Sequence, residues 1–303
     1  MLVNQRTVAE IVRFEGKGLH TGTFSRIAIH PAPADSGIVF VRTDLDSPVK
    51  INALAENVTS TARSTTISNG DVSVVTIEHI MSALTGLGID NALIEVEGVE
   101  IPILDGSARP YVEAIKTVEQ DAPRRYVEIP EAVEVKDEQS GSFVRIEPAD
   151  SFSASITVDF SSKVLGVQTA SYDEQTDYAS EIAVCRTFVF FHEIEFLLRN
   201  NLIKGGDVDN AIVIVEHPVS EEQLAFVSSV LGDKKQIAVT SEGYLNNLTL
   251  HFPDECGRHK LLDLIGDIRL AGGFPKAKIT AFKPGHGINT TAAKAVRQLV
   301  NNQ

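Results

Sequence analysis

Two similar α+β halves, each a layer of mostly antiparallel strands packed on helices, are what this 303-residue sequence predicts. Three observations carry that prediction. Runs rich in β-branched and aromatic residues gather at the start of each half. Each gathering gives way to a helix, then a strand, then a second helix. The polar, proline-containing segment Asp121-Ala122-Pro123-Arg124-Arg125 stands between the two series and divides residues 1–122 from 126–303. The halves share this plan without visible sequence identity.

In chain order, residues 8–14, 24–30 and 38–41 read as strands. Gly16-Lys17-Gly18-Leu19-His20-Thr21-Gly22 lies between the first two, and its three glycines mark a tight connection. It lacks the spacing and the Gly-Lys-Ser/Thr ending of a phosphate-binding P-loop. Residues 57–71, rich in Ser and Thr and without periodicity, suggest an insertion or a mobile loop. A helix is expected over 75–87, ended near Gly86 and Gly88, then a strand over 91–96. Asp105-Gly106 reads as a turn whose Ser107 caps a helix over 108–119.

In the second half, strands are expected at 126–135, 143–147, 153–160 and 166–172. A helical run over 191–199 follows, then Gly205-Gly206, a strand at 211–215 and a mixed polar stretch. The helix over 256–270, a strand at 278–283, the loop Pro284-Gly285-His286-Gly287 and a last helix over 292–299 complete the series.

Composition narrows the function. With 43% apolar and 22% charged residues and no apolar run near the roughly 20 residues of a membrane span, the chain reads as a soluble globular protein. Met1-Leu2-Val3-Asn4-Gln5-Arg6 lacks the order of a signal peptide, so a cytoplasmic location is expected. The two cysteines, Cys185 and Cys256, form neither a disulfide framework nor a C-x-x-C zinc pair. A net charge of −14 argues against broad nucleic-acid binding but leaves room for a small anionic substrate beside a local basic group.

The most informative stretch is Cys256 to Leu270. Its apolar residues Leu261, Leu262, Leu264, Ile265, Ile268 and Leu270 recur at helical spacing, while His259, Asp263 and Asp267 fall four apart on one stripe. An imidazole and a carboxylate one helical turn apart can share a divalent metal. The same pattern also suits an ion-paired surface helix. A third ligand is available at His79 in Thr76-Ile77-Glu78-His79, where the preceding carboxylate could handle protons. His79, His259 and Asp263 would make a two-histidine, one-carboxylate zinc site with its fourth position left to water.

Taken together, T-I-E-H at 76–79, H-K-L-L-D-L-I-G-D at 259–267, G-L-H-T-G at 18–22, E-I-P-I-L-D-G-S at 100–107, R-T-F at 186–188 and K-P-G-H at 283–286 resemble the UDP-3-O-acyl-N-acetylglucosamine deacetylase family of lipid A synthesis. The resemblance runs in order along nearly the whole chain. It implies two α+β domains with the active site between them and one insertion in each, near 57–74 and 190–210. Some relatives carry a fused dehydratase domain, for which a chain ending at Gln303 is expected to leave no room. The first insertion, Ala62-Arg63-Ser64-Thr65-Thr66, is more polar than the family leads one to expect, and no substrate contact is carried onto it.

The resemblance also implies roles. One zinc ion per chain would be held by His79, His259 and Asp263, with Glu78 as general base. His286 would be the cationic partner that stabilises the oxyanion or protonates the leaving amine, oriented by Asp267, and Thr187 would donate to the same oxyanion. Lys260 and, less directly, His20 would meet the nucleotide or sugar. The second insertion would build an acyl passage beside Phe188, with Ile194 and Leu198 on its wall, although Phe191, Ile194 and Leu198 at helical spacing equally suit plain core. His30, His192, His217 and His251 read as structural or exposed. The function so implied is removal of acetate from UDP-3-O-(3-hydroxyacyl)-N-acetylglucosamine. A zinc amidase acting on another acylated amino sugar, and a non-catalytic UDP-sugar or lipid-binding relative, are the alternatives. Oligomeric state is not readable, and a monomer is the default.

Overall fold

A computed structural model describes residues 3–194, 210–231 and 237–301. The first half contains β1 (Asn4–Val8), β2 (Val12–Lys17), β3 (Phe24–Pro31), β4 (Ile38–Arg42), β5 (Val49–Asn52), β6 (Val58–Ser60), β7 (Thr66–Asn69) and β8 (Val72–Val74). Helix α1 (Glu78–Gly86), β9 (Ala92–Glu97), α2 (Arg109–Ala114) and β10 (Thr117–Pro123) follow. The second half contains β11 (Tyr126–Glu128), β12 (Val133–Asp137), β13 (Ser142–Pro148), β14 (Ser153–Asp159), β15 (Val167–Tyr172), α3 (Tyr178–Glu181), β16 (Phe188–Phe190) and β17 (Ile212–Ile214). It ends with α4 (Glu221–Leu231), α5 (Glu255–Ile268), β18 (Phe274–Phe282) and α6 (His286–Asn301).

The predicted α+β class and the repeat of plan are both visible in the sheets. One runs β2-β3-β9-β4-β5 and the other β12-β13-β18-β14-β15, so in each the strand that follows a long helix is inserted at the centre. That central strand is antiparallel to one neighbour and parallel to the other in both sheets. Helices α1 and α5 are therefore equivalent elements, as are α2 and α6. Alternation sets the buried faces: Ile27 and Ile29 of β3, Ile94 and Val96 of β9, and Ile279 and Ala281 of β18 point inward. The apolar side chains of both halves merge into one buried cluster that takes in Ile80 and Leu84 of α1 and Leu261 and Ile265 of α5. No helix among the described residues is long and apolar enough to cross a membrane.

Several boundaries differ from expectation, each for a local reason. Residues 57–71 are not a loop: β6, β7 and β8 form a small sheet, in which buried Ile67 pairs with buried Val74. Helix α1 starts at Glu78 rather than 75, because Val75 bridges to Glu100 and Thr76 takes a left-handed φ of 62°. The helix expected to reach residue 119 stops at Ala114, since 117–123 return to pair with β1. Pro130 separates β11 from β12 within the run read as one strand. The mixed polar stretch contains α4, and His286 opens α6 instead of lying in a loop.

α1 and α5 can touch because α5 carries Gly266 where the two cross. A Cβ there would run into the Glu78 carbonyl and approach the Ser82 amide to 3.1 Å. Gly266→Ala should therefore cost about 1–3 kcal/mol, the usual range for overpacking a closed contact. Chemical denaturation reads this as a lower midpoint, and an unchanged midpoint would show that the helices separate freely.

Candidate metal centre and active site

The site is assembled where the first turn of α1 meets the middle of α5. Buried Glu100 accepts hydrogen bonds from the Thr76 hydroxyl (2.9 Å), the His20 and Thr21 amides (3.0 and 2.8 Å) and the Thr21 hydroxyl (2.7 Å). It thereby ties the glycine loop to the residue that turns the chain into α1. Glu78 and His79 emerge in the next turn. They diverge by about 100° on the helix, yet both reach one site because it lies across the helix start.

His79 Nε2 is 3.7 Å and His259 Nε2 3.5 Å from Asp263 Oδ1. The two rings meet edge to face with centroids 5.0 Å apart, and one ligand atom from each of the three residues lies within 4.8 Å of the others. His259 Nδ1 is 3.0 Å from the Cys185 carbonyl, which can only accept, so Nδ1 carries the proton and Nε2 keeps its lone pair. Asp263 Oδ2 accepts from Lys260 Nζ at 2.8 Å. Asp263 Oδ1, on a residue only 2% exposed, has no hydrogen-bond partner among the described residues. A buried carboxylate oxygen left bare is costly, and this one faces a ring nitrogen of each of two histidines, of which His259 Nε2 is itself an acceptor. Tetrahedral zinc with bonds of about 2.0–2.1 Å sets its ligands roughly 3.3–3.5 Å apart, close to these spacings. The three residues could hold a divalent metal ion.

Charge states agree with that geometry. Burial, and then the neighbouring His259, push His79 down to about 3, which leaves it neutral. Burial alone would raise Asp263, but Lys260 first and His259 next outweigh it and hold the carboxyl below its usual range.

On the other side of the first turn, Glu78 Oε1 lies 3.8 Å from His286 Nε2, and Glu78 Oε2 accepts from the Thr65 amide at 3.0 Å. Burial raises Glu78 to about 7; His286 opposes the rise, and Asp263 and Asp267 add to it. His286 Nδ1 donates to Asp267 Oδ2 at 3.0 Å. Burial would lower His286, but Asp267 and then Glu78 override it and lift the imidazole to about 9. Asp267, wholly buried, also accepts from Asn289 Nδ2 (3.0 Å) and the Thr65 hydroxyl (2.6 Å).

The remaining candidates are placed unevenly. Phe188 stands edge-on to His259 with centroids 6.2 Å apart, and Lys260 Nζ sits 5.5 Å from the Phe188 ring centroid. Thr187 follows two residues after the Cys185 carbonyl, held by its amide to Gly106 O (2.8 Å) and by its carbonyl to the Ile212 amide (2.9 Å). His20 is lowered chiefly by burial, with Arg63 and His286 adding to the effect against Glu100, so it lies within electrostatic reach of His286. Ile194 is buried in a satellite cluster with Phe191, Val213 and Val227. Leu198 lies outside the described residues.

Several contributors escaped the sequence reading. The Cys185 carbonyl, Asn289 and Thr65 reach the site from segments with no pattern pointing there. Arg186 pins the segment that carries Thr187 and leads into β16 through a buried two-point pair with Glu255 (2.8 and 3.1 Å), a residue 69 positions away at the start of α5. Arg186-Thr187-Phe188 was a legible motif, but its partner was not.

Known proteins are similar to this one along nearly the whole chain. The chain is 46% identical over 298 residues to a bifunctional LpxC/FabZ enzyme of Porphyromonas gingivalis, covering 97% of this chain and 64% of that protein. It is 43% identical to the bifunctional LpxC/FabZ enzyme of Bacteroides thetaiotaomicron, covering 98% and 65%. Thus it spans a little under two thirds of these relatives. It is 40% identical to a UDP-3-O-acyl-N-acetylglucosamine deacetylase of Teredinibacter turnerae, covering 100% of this chain and 92% of that protein. The model of the LpxC family, UDP-3-O-acyl N-acetylglycosamine deacetylase, matches residues 5–231 and 228–298, and with these identities the chain belongs to that family.

Proposed function

We propose that the protein, as two units of residues 1–122 and 126–303 with the site between them, is a cytoplasmic zinc-dependent deacetylase. It removes acetate from the 2-acetamido group of UDP-3-O-(3-hydroxyacyl)-N-acetylglucosamine, the committed step of lipid A synthesis. The observation that carries this reading is the bare Asp263 oxygen facing His79 and His259, flanked by Glu78 and by the His286–Asp267 pair. Zinc held by His79, His259 and Asp263 would bring a bound water toward a pKa of about 7 and act as a sink for developing negative charge.

The protein's own groups do the rest. Glu78, whose proton affinity lies near neutrality, takes the water proton. His286 stays cationic and, across from Glu78, stabilises the oxyanion or protonates the leaving amine, while Asp267 fixes its ring. Thr187 donates to the same oxyanion, and Lys260, Phe188 and His20 receive the nucleotide-sugar. Ile194 lines the way to the acyl chain.

Metal binding and proton transfer separate by mutation. His259→Ala should reduce both bound zinc and activity, whereas Glu78→Gln should keep zinc and lose about 10²–10⁴-fold in turnover. Near-full turnover in Glu78→Gln would remove it as the base.

Acidity should show the pair. Activity requires Glu78 ionised and His286 protonated, so kcat/KM should rise through the first titration and fall through the second, giving a bell. A bound cation lowers both values, so the alkaline limb is expected at or below about 9. His286→Ala should abolish that limb, and a profile unchanged in shape and height would exclude His286 from the mechanism.

The acyl passage has its own test. Each buried methylene contributes up to about 0.8 kcal/mol, so shorter acyl chains should lower kcat/KM steeply. Replacing Ile194 with a charged residue should weaken the long-chain substrate far more than one without the chain. Its place in a buried cluster favours the competing role as plain core, and equal loss of both activities on folded protein would decide for that role.

A further inference from the structure

Thr65, in the insertion between β5 and α1, is fully buried and makes two hydrogen bonds that meet at no other residue of the site. Its amide donates to Glu78 Oε2 at 3.0 Å and its hydroxyl to Asp267 Oδ1 at 2.6 Å. The first bond leaves Glu78 Oε1 as the oxygen turned toward His286, 3.8 Å away. The second leaves Asp267 Oδ2 to hold His286 Nδ1 and Asn289 Nδ2, each at 3.0 Å. The Thr65 carbonyl also accepts from the Ile77 amide at 3.2 Å, so this residue is fastened to the turn that starts α1.

We propose that Thr65 is a positioning residue for the deacetylation, a single side chain and amide that set the facing oxygens of the base Glu78 and of Asp267, the carboxylate that orients His286. It touches neither the metal ligands nor, by its burial, the substrate; it acts through Glu78 and Asp267. Both carboxylates are buried, and a buried carboxylate with a free oxygen rotates toward any donor in reach. Thr65 occupies one oxygen of each and so leaves the other committed to His286. The proposal rests on the mechanism given above, because it assigns Thr65 no chemistry of its own.

Thr65→Val removes the hydroxyl at nearly constant shape. Hydrogen bonds to charged groups suggest a fall in kcat of roughly 10- to 100-fold, with KM within about threefold and zinc content unchanged. Thr65→Ser keeps the hydroxyl and should recover most of the turnover. Because the hydroxyl works through Asp267, the loss caused by Thr65→Val should largely vanish when it is measured on an Asp267→Asn background. Should Thr65→Val melt well below the wild type, Thr65→Ala supplies the same comparison against Thr65→Ser. Full turnover in Thr65→Val, a loss confined to KM, equal damage from Thr65→Ser, or an undiminished loss on the Asp267→Asn background would each overturn the proposal. Asp267→Asn and Glu78→Gln alone form the control: if they keep turnover, the mechanism itself falls, whereas if they lose it and Thr65→Val does not, only the role of Thr65 falls.

Discussion

Everything at the site depends on how closely α1 and α5 approach. Gly266 removes the one side chain that would hold them apart, and the Glu78 carbonyl occupies the space it leaves. Three ligand atoms can meet within 4.8 Å only because the start of one helix presses on the middle of the other. A metal centre with bonds near 2 Å tolerates little error in that approach. The buried cluster shared by the two halves follows from the same contact, since Ile80 and Leu84 on α1 and Leu261 and Ile265 on α5 lie in it together. Packing and chemistry are thus imposed by one crossing.

A second constraint is the number of buried carboxylates. Glu78, Glu100, Glu255, Asp263 and Asp267 are all removed from water, and a buried charge is tolerated only when it is paired or hydrogen-bonded. Glu100 is met by three residues of two segments, Glu255 by Arg186, and Asp267 by Thr65, His286 and Asn289. Asp263 has Lys260 on one oxygen and no hydrogen-bond partner among the described residues on the other. Of these five carboxylates, Asp263 is therefore the one with a buried oxygen that lacks a hydrogen-bond partner among the described residues, and that oxygen lies between two imidazoles, where a cation would complete it. Glu78 differs in kind: its proton affinity near neutrality is the property a proton carrier needs and a purely structural carboxylate does not.

The sequence displayed more of the candidate ligand set than of the scaffold that brings it together. His259 and Asp263 share a helix, so their spacing was readable from periodicity alone, and His79 stood beside a carboxylate in a second helix. The two-half plan was also legible, because strand runs and amphipathic helices are local patterns. What stayed hidden depends on pairing over long separations. Residues 117–119 look helical and 121–123 look like a linker until β1 claims them, and 57–71 look like an insertion or a mobile loop until Ile67 finds Val74. The start of α6 was obscured by Pro284 and Gly285, so His286 read as a loop residue, although a helix N-terminus holds its ring more firmly against Asp267. Thr65 and Asn289 gave no signal, since a lone hydroxyl or amide acquires meaning only from the carboxylate that folding brings to it.

The repeated topology raises a question that the local chemistry answers. Two equivalent sheets with equivalent helices would be expected to build two equivalent sites, yet among the described residues the candidate ligand groups converge once. The equivalent helices differ in where their polar residues sit: α1 carries Glu78 and His79 in its first turn, whereas α5 carries His259, Asp263 and Asp267 along successive turns of its body. When the two cross, the start of α1 meets the middle of α5, where His259, Asp263 and Asp267 lie. The helices that follow the central strands differ as well. α6 has 16 residues and begins with His286, while α2 has 6 and places only Arg109 and Pro110 at its start. An imidazole therefore arrives on one side alone. The segment between β5 and α1 reaches Glu78 and Asp267 through Thr65, while β16, which lies between β15 and α5, brings Phe188 beside His259. The repeated plan supplies a crossing of two helices; the unequal placement of a few polar residues on it makes one candidate site among the described residues.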